Sequence, residues 1–155
     1  MEIQEQDLAL LRDAIQLAFA ARAHGNHPFG ALLAVDGKIV LRAENTVLTA
    51  GDVTHHAELN LVSLAQRELS PETLRKATLY TSTEPCPMCS GAIYWAGIAR
   101  VVYACPEEDL FSLSGGGLAL PCREVFSHGA RPVEVIGPLL QEEAIQPHLG
   151  FWQSA

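Results

Sequence analysis

Two short segments of this chain carry side chains that could hold a metal ion and do chemistry with it. The first is His56-Ala57-Glu58, and the second is Pro-Cys-Pro-Met-Cys over residues 85–89, which contains Cys86 and Cys89. One imidazole and two thiolates suit zinc, and three protein ligands leave a fourth tetrahedral position for water. Because structural zinc sites are closed by four protein ligands, His56, Cys86 and Cys89 predict a catalytic Zn²⁺ site.

Glu58 is the acid of this set that the metal does not need as a ligand. Bound zinc lowers the pKa of a water molecule toward about 7 and so supplies hydroxide as a nucleophile. A carboxylate beside that water can take its proton, protonate a ring nitrogen and help ammonia leave an amidine-like carbon. The pattern therefore predicts hydrolytic deamination, with Glu58 as the catalytic residue that moves the protons.

Helix beginnings are expected to bring the two segments together. Apolar spacing predicts a helix over residues 55–67, which places His56 and Glu58 in its first turn, where side chains two positions apart can converge. Pro87 suits the first turn of a second helix, which is predicted over residues 90–97 behind the cysteines. The positive end of that helix would lower the thiol pKa and favour metal binding.

The remaining elements alternate between strands and helices. Apolar spacing predicts an amphipathic helix over residues 5–24, and Asp36-Gly37 predicts a hairpin turn. The other predicted elements are a short helix within 139–146 and strands over 29–35, 38–43, 78–82, 100–104 and 132–136. Residues 106–122 show no readable pattern, and within them a mobile turn is expected at 114–117. This alternation predicts a single α/β domain over residues 1–155, with three α/β/α layers.

The composition argues against several classes of protein. Of the 155 residues, 48% are hydrophobic and 18% are charged, which is an ordinary balance for one globular domain. A net charge of −8 without any Lys/Arg cluster disfavours a nucleic-acid partner. No apolar run is long enough to cross a membrane, and the acidic N-terminus does not resemble a signal peptide. We therefore expect no membrane partner and a cytoplasmic location.

Other kinds of site fit part of the pattern. The Cys-x-x-Cys segment alone could form a redox pair, or a structural zinc site could recruit His55, Cys105 or Cys122 as its fourth ligand. The glutamate two positions after His56 favours the catalytic interpretation, with His55 at the helix start and Cys105 and Cys122 as buried thiols. The remaining histidines lack partners at ligand spacing and are interpreted as surface or turn residues; they are His24, His27, His128 and His148.

The combined motif resembles the cytidine deaminase-like superfamily. Its second half runs Leu-Tyr-Thr-Ser-Thr-Glu-Pro-Cys-Pro-Met-Cys-Ser-Gly-Ala-Ile-Tyr-Trp-Ala over residues 79–96, and His-x-Glu followed by Pro-Cys-x-x-Cys is the signature of zinc deaminases. Within the superfamily, residues 28–31 (Pro-Phe-Gly-Ala), Asn45 and residues 92–96 are most similar to bacterial guanine deaminases. The resemblance implies a five-stranded mixed sheet between helices, a cytidine deaminase-like fold, and assembly as a homodimer.

The resemblance also implies how a small-molecule nucleobase substrate is bound. The residues that it places against the substrate are Asn45, Phe29, Ala57, Trp95, Phe151 and Trp152. Asn45 and the backbone amide of Ala57 would hydrogen-bond to the base, and the aromatic side chains would pack against its ring. Residues 138–155 would form a C-terminal helix and aromatic tail that closes the active site, whereas Glu84 would have a structural role.

The resemblance covers residues 8–105 and weakens beyond them. Bacterial guanine deaminases carry a Gly-Phe-Asp-Asp-type segment that offers a second proton shuttle, whereas residues 113–118 of this chain contain no acid. The acids that could replace it are Glu107, Glu108, Asp109, Glu142 and Glu143.

Guanine, converted to xanthine and ammonia, is the expected substrate on this resemblance. Cytosine, a nucleoside or an aminotriazine would be deaminated by the same chemistry and are the alternatives. A tRNA adenosine deaminase is disfavoured by the net charge of −8. A non-catalytic zinc-stabilised interaction module would be a different class, and the presence of Glu58 argues against it.

Overall fold

The computed structural model describes residues 3–152 and confirms the predicted five-stranded mixed sheet. The strands are β1 Gly30–Val35, β2 Lys38–Glu44, β3 Thr78–Thr83, β4 Arg100–Cys105 and β5 Glu134–Ile136. Their order across the sheet is β2-β1-β3-β4-β5. Strand β1 is antiparallel to both β2 and β3, whereas β3, β4 and β5 run parallel. The sheet therefore joins an antiparallel hairpin to a parallel half that carries helical crossovers.

Helices cover both faces of the sheet, as the three-layer prediction requires. They are α1 Glu5–Ala23, α2 Val47–Ala50, α3 Ala57–Glu68, α4 Pro71–Lys76, α5 Pro87–Ala96, α6 Glu107–Ser114, α7 Cys122–Ser127 and α8 Gln141–Ile145, followed by a 3₁₀ turn over Gln146–His148. Successive strand residues point to opposite faces. Leu33 and Leu79 pack with α3, α5 and α7, whereas Leu32 and Tyr80 pack with α1, α6 and α8.

The hairpin between β1 and β2 forms where the sequence predicts it. Asp36 and Gly37 have φ angles of 51° and 76°, so both central residues of the turn occupy the left-handed region that two-residue hairpins favour. At the other end of β1, helix α1 passes very close to Gly30. A Cβ atom at Gly30 would lie 2.4 Å from the Leu17 Cβ and 2.6 Å from two backbone atoms of α1. A glycine is therefore required where this helix crosses the strand.

Four helices form where the sequence predicts none. Helix α2 lies in the predicted loop, α4 follows the predicted helix α3, α6 lies in the stretch without a readable pattern, and α7 begins at the last residue of that stretch. They contain four, six, eight and six residues, respectively, which is too short to show a helical period. Their starts carry local signals instead: the Ser70 hydroxyl caps α4, and three acids follow Pro106 in the first turn of α6.

A buried ion pair joins α1 to the start of strand β4, at the end of the sheet opposite the predicted metal segments. Two nitrogens of Arg100, at the start of β4, each donate to one carboxylate oxygen of Asp7 at 3.1 Å. The Tyr80 hydroxyl donates to the same carboxylate at 2.6 Å, and Asp7 is only 5% exposed. This network anchors the first helix to the central strands. Across residues 3–152, no helix combines the length and the hydropathy that a membrane crossing requires.

Candidate active site

The two predicted metal segments both lie at helix starts. His56 immediately precedes α3, and Cys86 immediately precedes α5, so both side chains are at open N-terminal helix ends. Helices α3 and α5 pack against each other on the same face of the sheet. Strand β3 ends at Thr83, just before Cys86, which places the site at the carboxyl ends of the parallel strands. Ligand sites of α/β sheets commonly occupy this edge.

The three predicted ligands converge with the spacing that a zinc ion needs. His56 Nδ1 lies 3.5 Å from the Sγ atom of Cys86 and 3.6 Å from that of Cys89. All three donor atoms lie within 4.8 Å of one another. Nitrogen and sulfur ligands at tetrahedral zinc are separated by roughly 3.6 Å, given Zn–N and Zn–S bonds of about 2.0 and 2.3 Å. In the described part of the chain, no other three His, Cys, Asp or Glu side chains converge in this way.

The pKa values of the two cysteine thiols are shifted in opposite directions. A hydrogen bond from Cys89, followed by one from His56, lowers the pKa of Cys86 to about 4. The same hydrogen bond to Cys86, together with burial, raises the pKa of Cys89 well above its ordinary value. Without a metal, the two thiols therefore disfavour being ionised together. A cation seated between the sulfur atoms would offset the second negative charge, which is the role that zinc has in such sites.

Glu58 lies in the first turn of α3, beside the metal ligands. Its side chain is only 5% exposed, and within residues 3–152 it forms no salt bridge, which is unusual for a buried carboxylate. Burial, and then the negative charge at Cys86, raises the pKa of Glu58 to about 7. A carboxyl group with this pKa can both accept and release a proton near neutral pH.

One cavity of about 370 Å³ brings these groups together. His56, Glu58 and Cys86 lie at its floor, and apolar side chains form most of its walls. The residues that line it are His27, Phe29, His56, Glu58, Thr83, Glu84, Cys86, Met88, Glu107, Leu110, Phe111, Ser114, Gly116, Gly117, Leu118 and Trp152. A largely apolar pocket with a few convergent polar groups is the usual form of a small-molecule site.

Residues 4–105 match the family described as the cytidine and deoxycytidylate deaminase zinc-binding region. The chain belongs to this family. The match includes both metal segments, and the donor geometry agrees with it, so the cofactor of this deaminase is zinc. The resemblance read from the sequence is thereby confirmed, together with the cytidine deaminase-like fold.

Relatives of this deaminase act on different substrates. The chain is 42% identical over 156 residues to a probable cytosine deaminase of Schizosaccharomyces pombe (strain 972 / ATCC 24843), which covers 97% of this chain and 95% of that protein. It is 46% identical over 82 residues to a guanine deaminase of Bacillus subtilis (strain 168), covering 53% of each. A solved structure from a study of A-to-I editing by tRNA:A34 deaminases has 30% identity and a TM-score of 0.76, and the match covers 90% of this chain and 99% of that one.

Two of the predicted substrate contacts line the deaminase cavity, namely Phe29 and Trp152. Phe151 does not line it but contacts the His27 ring edge-on, with ring centroids 5.8 Å apart. Ala57 is fully buried at the start of α3. Asn45 is also buried, and its Oδ1 atom accepts a hydrogen bond of 3.0 Å from the Val47 amide. Their predicted contacts with a base stay predictions.

Trp95 is not among the residues that line the cavity. It is 84% exposed on α5 and does not line the cavity of its own chain. Its ring contacts Tyr94 edge-on at 5.3 Å, and the Tyr94 hydroxyl in turn accepts a hydrogen bond from the Ala130 amide. Helix α5 directs its small and buried residues toward the sheet, which leaves position 95 facing outward. Trp95 does not line the cavity of its own chain, and its contact with a base stays a prediction.

Glu107 is the one acid among the five predicted proton shuttles that lines the cavity within residues 3–152. Burial, followed by the charges of neighbouring carboxylates, raises its pKa. Glu108 is exposed on the same helix, and Asp109 accepts a hydrogen bond from Gln141 at 3.3 Å. Glu142 is exposed and Glu143 pairs with Arg12 at 2.9 Å, so α8 directs both acids away from the site.

Glu84 connects the metal segment to the far wall of the cavity. One oxygen of its carboxylate accepts a hydrogen bond of 3.2 Å from the backbone amide of Glu107. The other accepts one of 3.0 Å from the backbone amide of Cys122. These amides belong to the first residues of α6 and α7, where helix N–H groups lack partners within the helix. Glu84 therefore caps two helices at once, which agrees with the structural role predicted for it.

Two histidines predicted at the surface lie in or behind the cavity instead. His27 lines the cavity, and burial followed by the nearby His56 lowers its pKa. His148 is only 1% exposed. The sequence carries no signal for either position because their partners come from distant segments. The cavity residues of α6 and the following loop, such as Phe111 and Leu118, were also missed because that stretch shows no periodic pattern.

Proposed function

We propose that this protein is a zinc-dependent hydrolase that releases ammonia from cytosine. The observation that carries the chemistry is the convergence of Glu58 with the His56, Cys86 and Cys89 ligand group at one cavity. A structural zinc site has no use for a buried carboxylate that is not a ligand. The geometry therefore supports hydrolytic deamination over a non-catalytic zinc module.

Each residue of the site has a distinct task in this proposal. Zinc held by His56, Cys86 and Cys89 supplies, when bound, the polarised water that serves as nucleophile. Glu58 takes the proton that this water loses, delivers it to a ring nitrogen of the substrate and supports departure of the amine as ammonia. Phe29 and Trp152 pack against the planar ring of the substrate, orient it toward the metal ligands and exclude bulk water.

Cytosine, rather than the guanine expected from the resemblance, is the substrate that the relatives favour. The match to the probable cytosine deaminase of Schizosaccharomyces pombe covers 97% of this chain, and so it includes the C-terminal third, which supplies much of the cavity wall. The match to the guanine deaminase of Bacillus subtilis is 82 residues long, which is too short to include both His56 and Trp152. Substrate selection depends on the walls, so the longer match carries more weight.

Guanine remains the second candidate because the same cavity could hold a larger ring. A volume of about 370 Å³ is larger than a single pyrimidine requires, and residues 92–96 are similar to the guanine deaminase branch. A tRNA substrate has less support in the net charge of −8.

An ammonia-release screen with the zinc-loaded protein tests the proposal. The panel is cytosine, guanine, adenine, cytidine, guanosine and an aminotriazine, and we expect cytosine to have the highest kcat/KM. Glu58→Gln should lower kcat by about 10²–10⁴-fold and retain the metal. Glu68→Gln, an exposed position on the same helix, is the matched control. Preference for guanine would overturn the cytosine assignment, and an active Glu58→Gln protein would overturn the role of Glu58.

Assembly as a homodimer belongs to the same proposal. Trp95 is 84% exposed on α5, and tryptophan is enriched where protein surfaces meet. If a second copy covers it, Trp95 could reach the substrate of that copy, which its own cavity does not allow. Light scattering of the wild type and of Trp95→Ser tests this, with a dimer expected only for the wild type.

The tail and the cellular setting complete the proposal. In this proposal the described part of the predicted tail, residues 138–152, belongs to the single domain and closes the cavity through Trp152, whereas residues 153–155 lie outside the described part of the chain. All four cysteines are free thiols, which supports a reducing, cytoplasmic setting.

A further inference from the structure

An aromatic wall closes one side of the cavity, and one of its members does not face the cavity. We define this wall as Phe29, His148 and Trp152. Phe29 and Trp152 line the cavity, whereas His148 lies behind them. The His148 ring contacts Phe29 edge-on, with ring centroids 5.3 Å apart, and lies edge to edge beside the indole of Trp152, with ring centroids 6.2 Å apart and an interplanar angle of 15°. His148 thus supports both of the rings that face the substrate.

Hydrogen bonds connect His148 to the tail on one side and to the sheet on the other. The indole Nε1 of Trp152 lies 3.1 Å from His148 Nδ1, and His148 Nε2 lies 3.4 Å from the Thr83 hydroxyl. An indole N–H only donates, so Nδ1 must be the acceptor and Nε2 must carry the ring proton. His148 then donates to Thr83 at the end of β3. The tautomer follows from the partners, because a proton on Nδ1 would break the bond to Trp152.

The surroundings keep the imidazole neutral. Burial, followed by the positive charge of Arg22 on α1, lowers the pKa of His148 to about 4. His27, from the loop before β1, lies 5.3 Å from Trp152 and faces the wall from its other side. Near neutral pH the Nδ1 lone pair of His148 is therefore available to the indole.

The backbone around His148 is fixed independently of these contacts. One guanidinium nitrogen of Arg22 donates to the carbonyl oxygens of Pro147 and Leu149 at 2.9 and 2.7 Å. These carbonyls flank His148, so α1 holds the turn that carries it. Only two residues lie between this fixed turn and Trp152, and the position of the indole then depends on its hydrogen bond to His148 and on its contacts with neighbouring rings.

We infer that His148 is a positioning residue that holds the indole of Trp152 against the cavity by linking it to Thr83. It does not touch the substrate and moves no proton in the reaction. The inference rests on the proposed function for the identity of the substrate, whereas the contact between His148 and Trp152 is independent of it. A misplaced indole weakens binding of substrate and transition state alike, so KM should change and kcat should not.

Three substitutions distinguish the effect of the hydrogen-bond acceptor of His148 from the effect of the size of its side chain. His148→Leu removes both ring nitrogens and should raise KM for cytosine about 5–10-fold with kcat within about 2-fold of wild type. His148→Asn retains an acceptor near the Nδ1 position and should restore part of the affinity. His128→Leu, at an exposed histidine, is the matched control and should leave KM within about 2-fold.

A double-mutant cycle tests whether His148 acts through Trp152. Trp152→Phe removes the N–H donor but retains an aromatic ring. If His148→Leu folds poorly, this change near the chain end tests the same hydrogen bond from the side of Trp152. In the Trp152→Phe background, His148→Leu should raise KM by less than about 2-fold further, because the bond it breaks is already absent. An equal effect in both backgrounds, or a fall in kcat with unchanged KM, would overturn the inference.

Fluorescence gives a readout that needs no substrate. In a Trp95→Phe background, the emission of Trp152 should shift to longer wavelength when His148→Leu frees the indole, whereas His128→Leu should leave it unchanged. Failure of the wild type to deaminate any base would refute the proposed function and leave this test intact. An unshifted spectrum in His148→Leu would show that His148 does not hold the indole.

Discussion

Asp7 and Arg100 form a bidentate ion pair, in which each carboxylate oxygen accepts a hydrogen bond of 3.1 Å from one guanidinium nitrogen. Burial alone would raise the pKa of Asp7, but the hydrogen bonds from Arg100 and then Tyr80 outweigh it and lower the pKa to about 2. Since the pKa in the folded state is below the ordinary value of 3.8, the pair stabilises the fold above about pH 4. This stability is lost as the pH falls from about 4 to about 2.

Asp7→Asn should therefore destabilise the protein mainly at neutral pH. Breaking a buried charge pair from one side leaves Arg100 without its partner, and we expect a loss of about 2–4 kcal/mol at pH 7. The difference from wild type should shrink at pH 3 and below. Urea unfolding at both pH values measures it. Asp13→Asn, an exposed position on the same helix, should change stability by less than about 0.5 kcal/mol. An equal loss at both pH values would contradict the ion-pair explanation.

Removal of either thiol ligand should release the metal. Cys86→Ser and Cys89→Ser are expected to bind less than about one tenth of the zinc bound by wild type, because an alcohol is a poor zinc ligand. Wild type should contain about one zinc per chain by elemental analysis. Cys105→Ala, at another buried cysteine, should retain the zinc although it loses some packing. Loss of zinc in that control would place Cys105 among the ligands.

Glu107→Gln should change substrate affinity more than turnover. Glu107 brings a carboxylate to the cavity wall beside Glu84, where it can accept a hydrogen bond from an N–H of the base. An amide in its place should raise KM about 3–10-fold. Glu108→Gln, at the exposed neighbour, should alter KM by less than about 2-fold. A fall in kcat of about 100-fold instead would identify Glu107 as a second proton carrier.

Gly30→Ala should destabilise the fold by about 2–4 kcal/mol. The new Cβ would lie 2.4–2.6 Å from atoms of α1, which are mostly backbone and cannot move aside without shifting the helix. Gly91→Ala provides the contrast, because a Cβ at that position of α5 meets no atom within 4 Å. Alanine there should be neutral or stabilise the helix by about 0.5–1 kcal/mol. Thermal unfolding of both variants gives the comparison.

The metal centre could be predicted from the sequence because its information is local. His56 and Glu58 are two positions apart, and each ligand segment contains its own helix start, so the type and spacing of the residues suffice. The sheet could be predicted for a similar reason, since each strand carries its own apolar pattern and the hairpin its own turn residues. The donor distances then followed from two helices packing on one face of that sheet.

The walls of the cavity could not be predicted in the same way. His148 meets Thr83 across 65 positions, and no periodicity reports such a contact. Helix α6 buries a single residue, Leu110, so its segment shows no apolar stripe although it lines the site. The orientation of Trp95 could not be predicted either, because it depends on which face of α5 packs against the sheet.

The carboxylate of Glu84 has a consequence for how this enzyme family can diversify. By holding the amides of Glu107 and Cys122, it fixes both ends of the segment that forms the far wall of the cavity. A segment with anchored ends can change its interior sequence, or even its length, without disturbing the points at which it joins the scaffold. Because Glu84 lies directly before the cysteine motif, the anchor belongs to the same short segment as two of the metal ligands. New substrates can thus be accommodated by exchanging one tethered segment while the machinery for deamination stays in place.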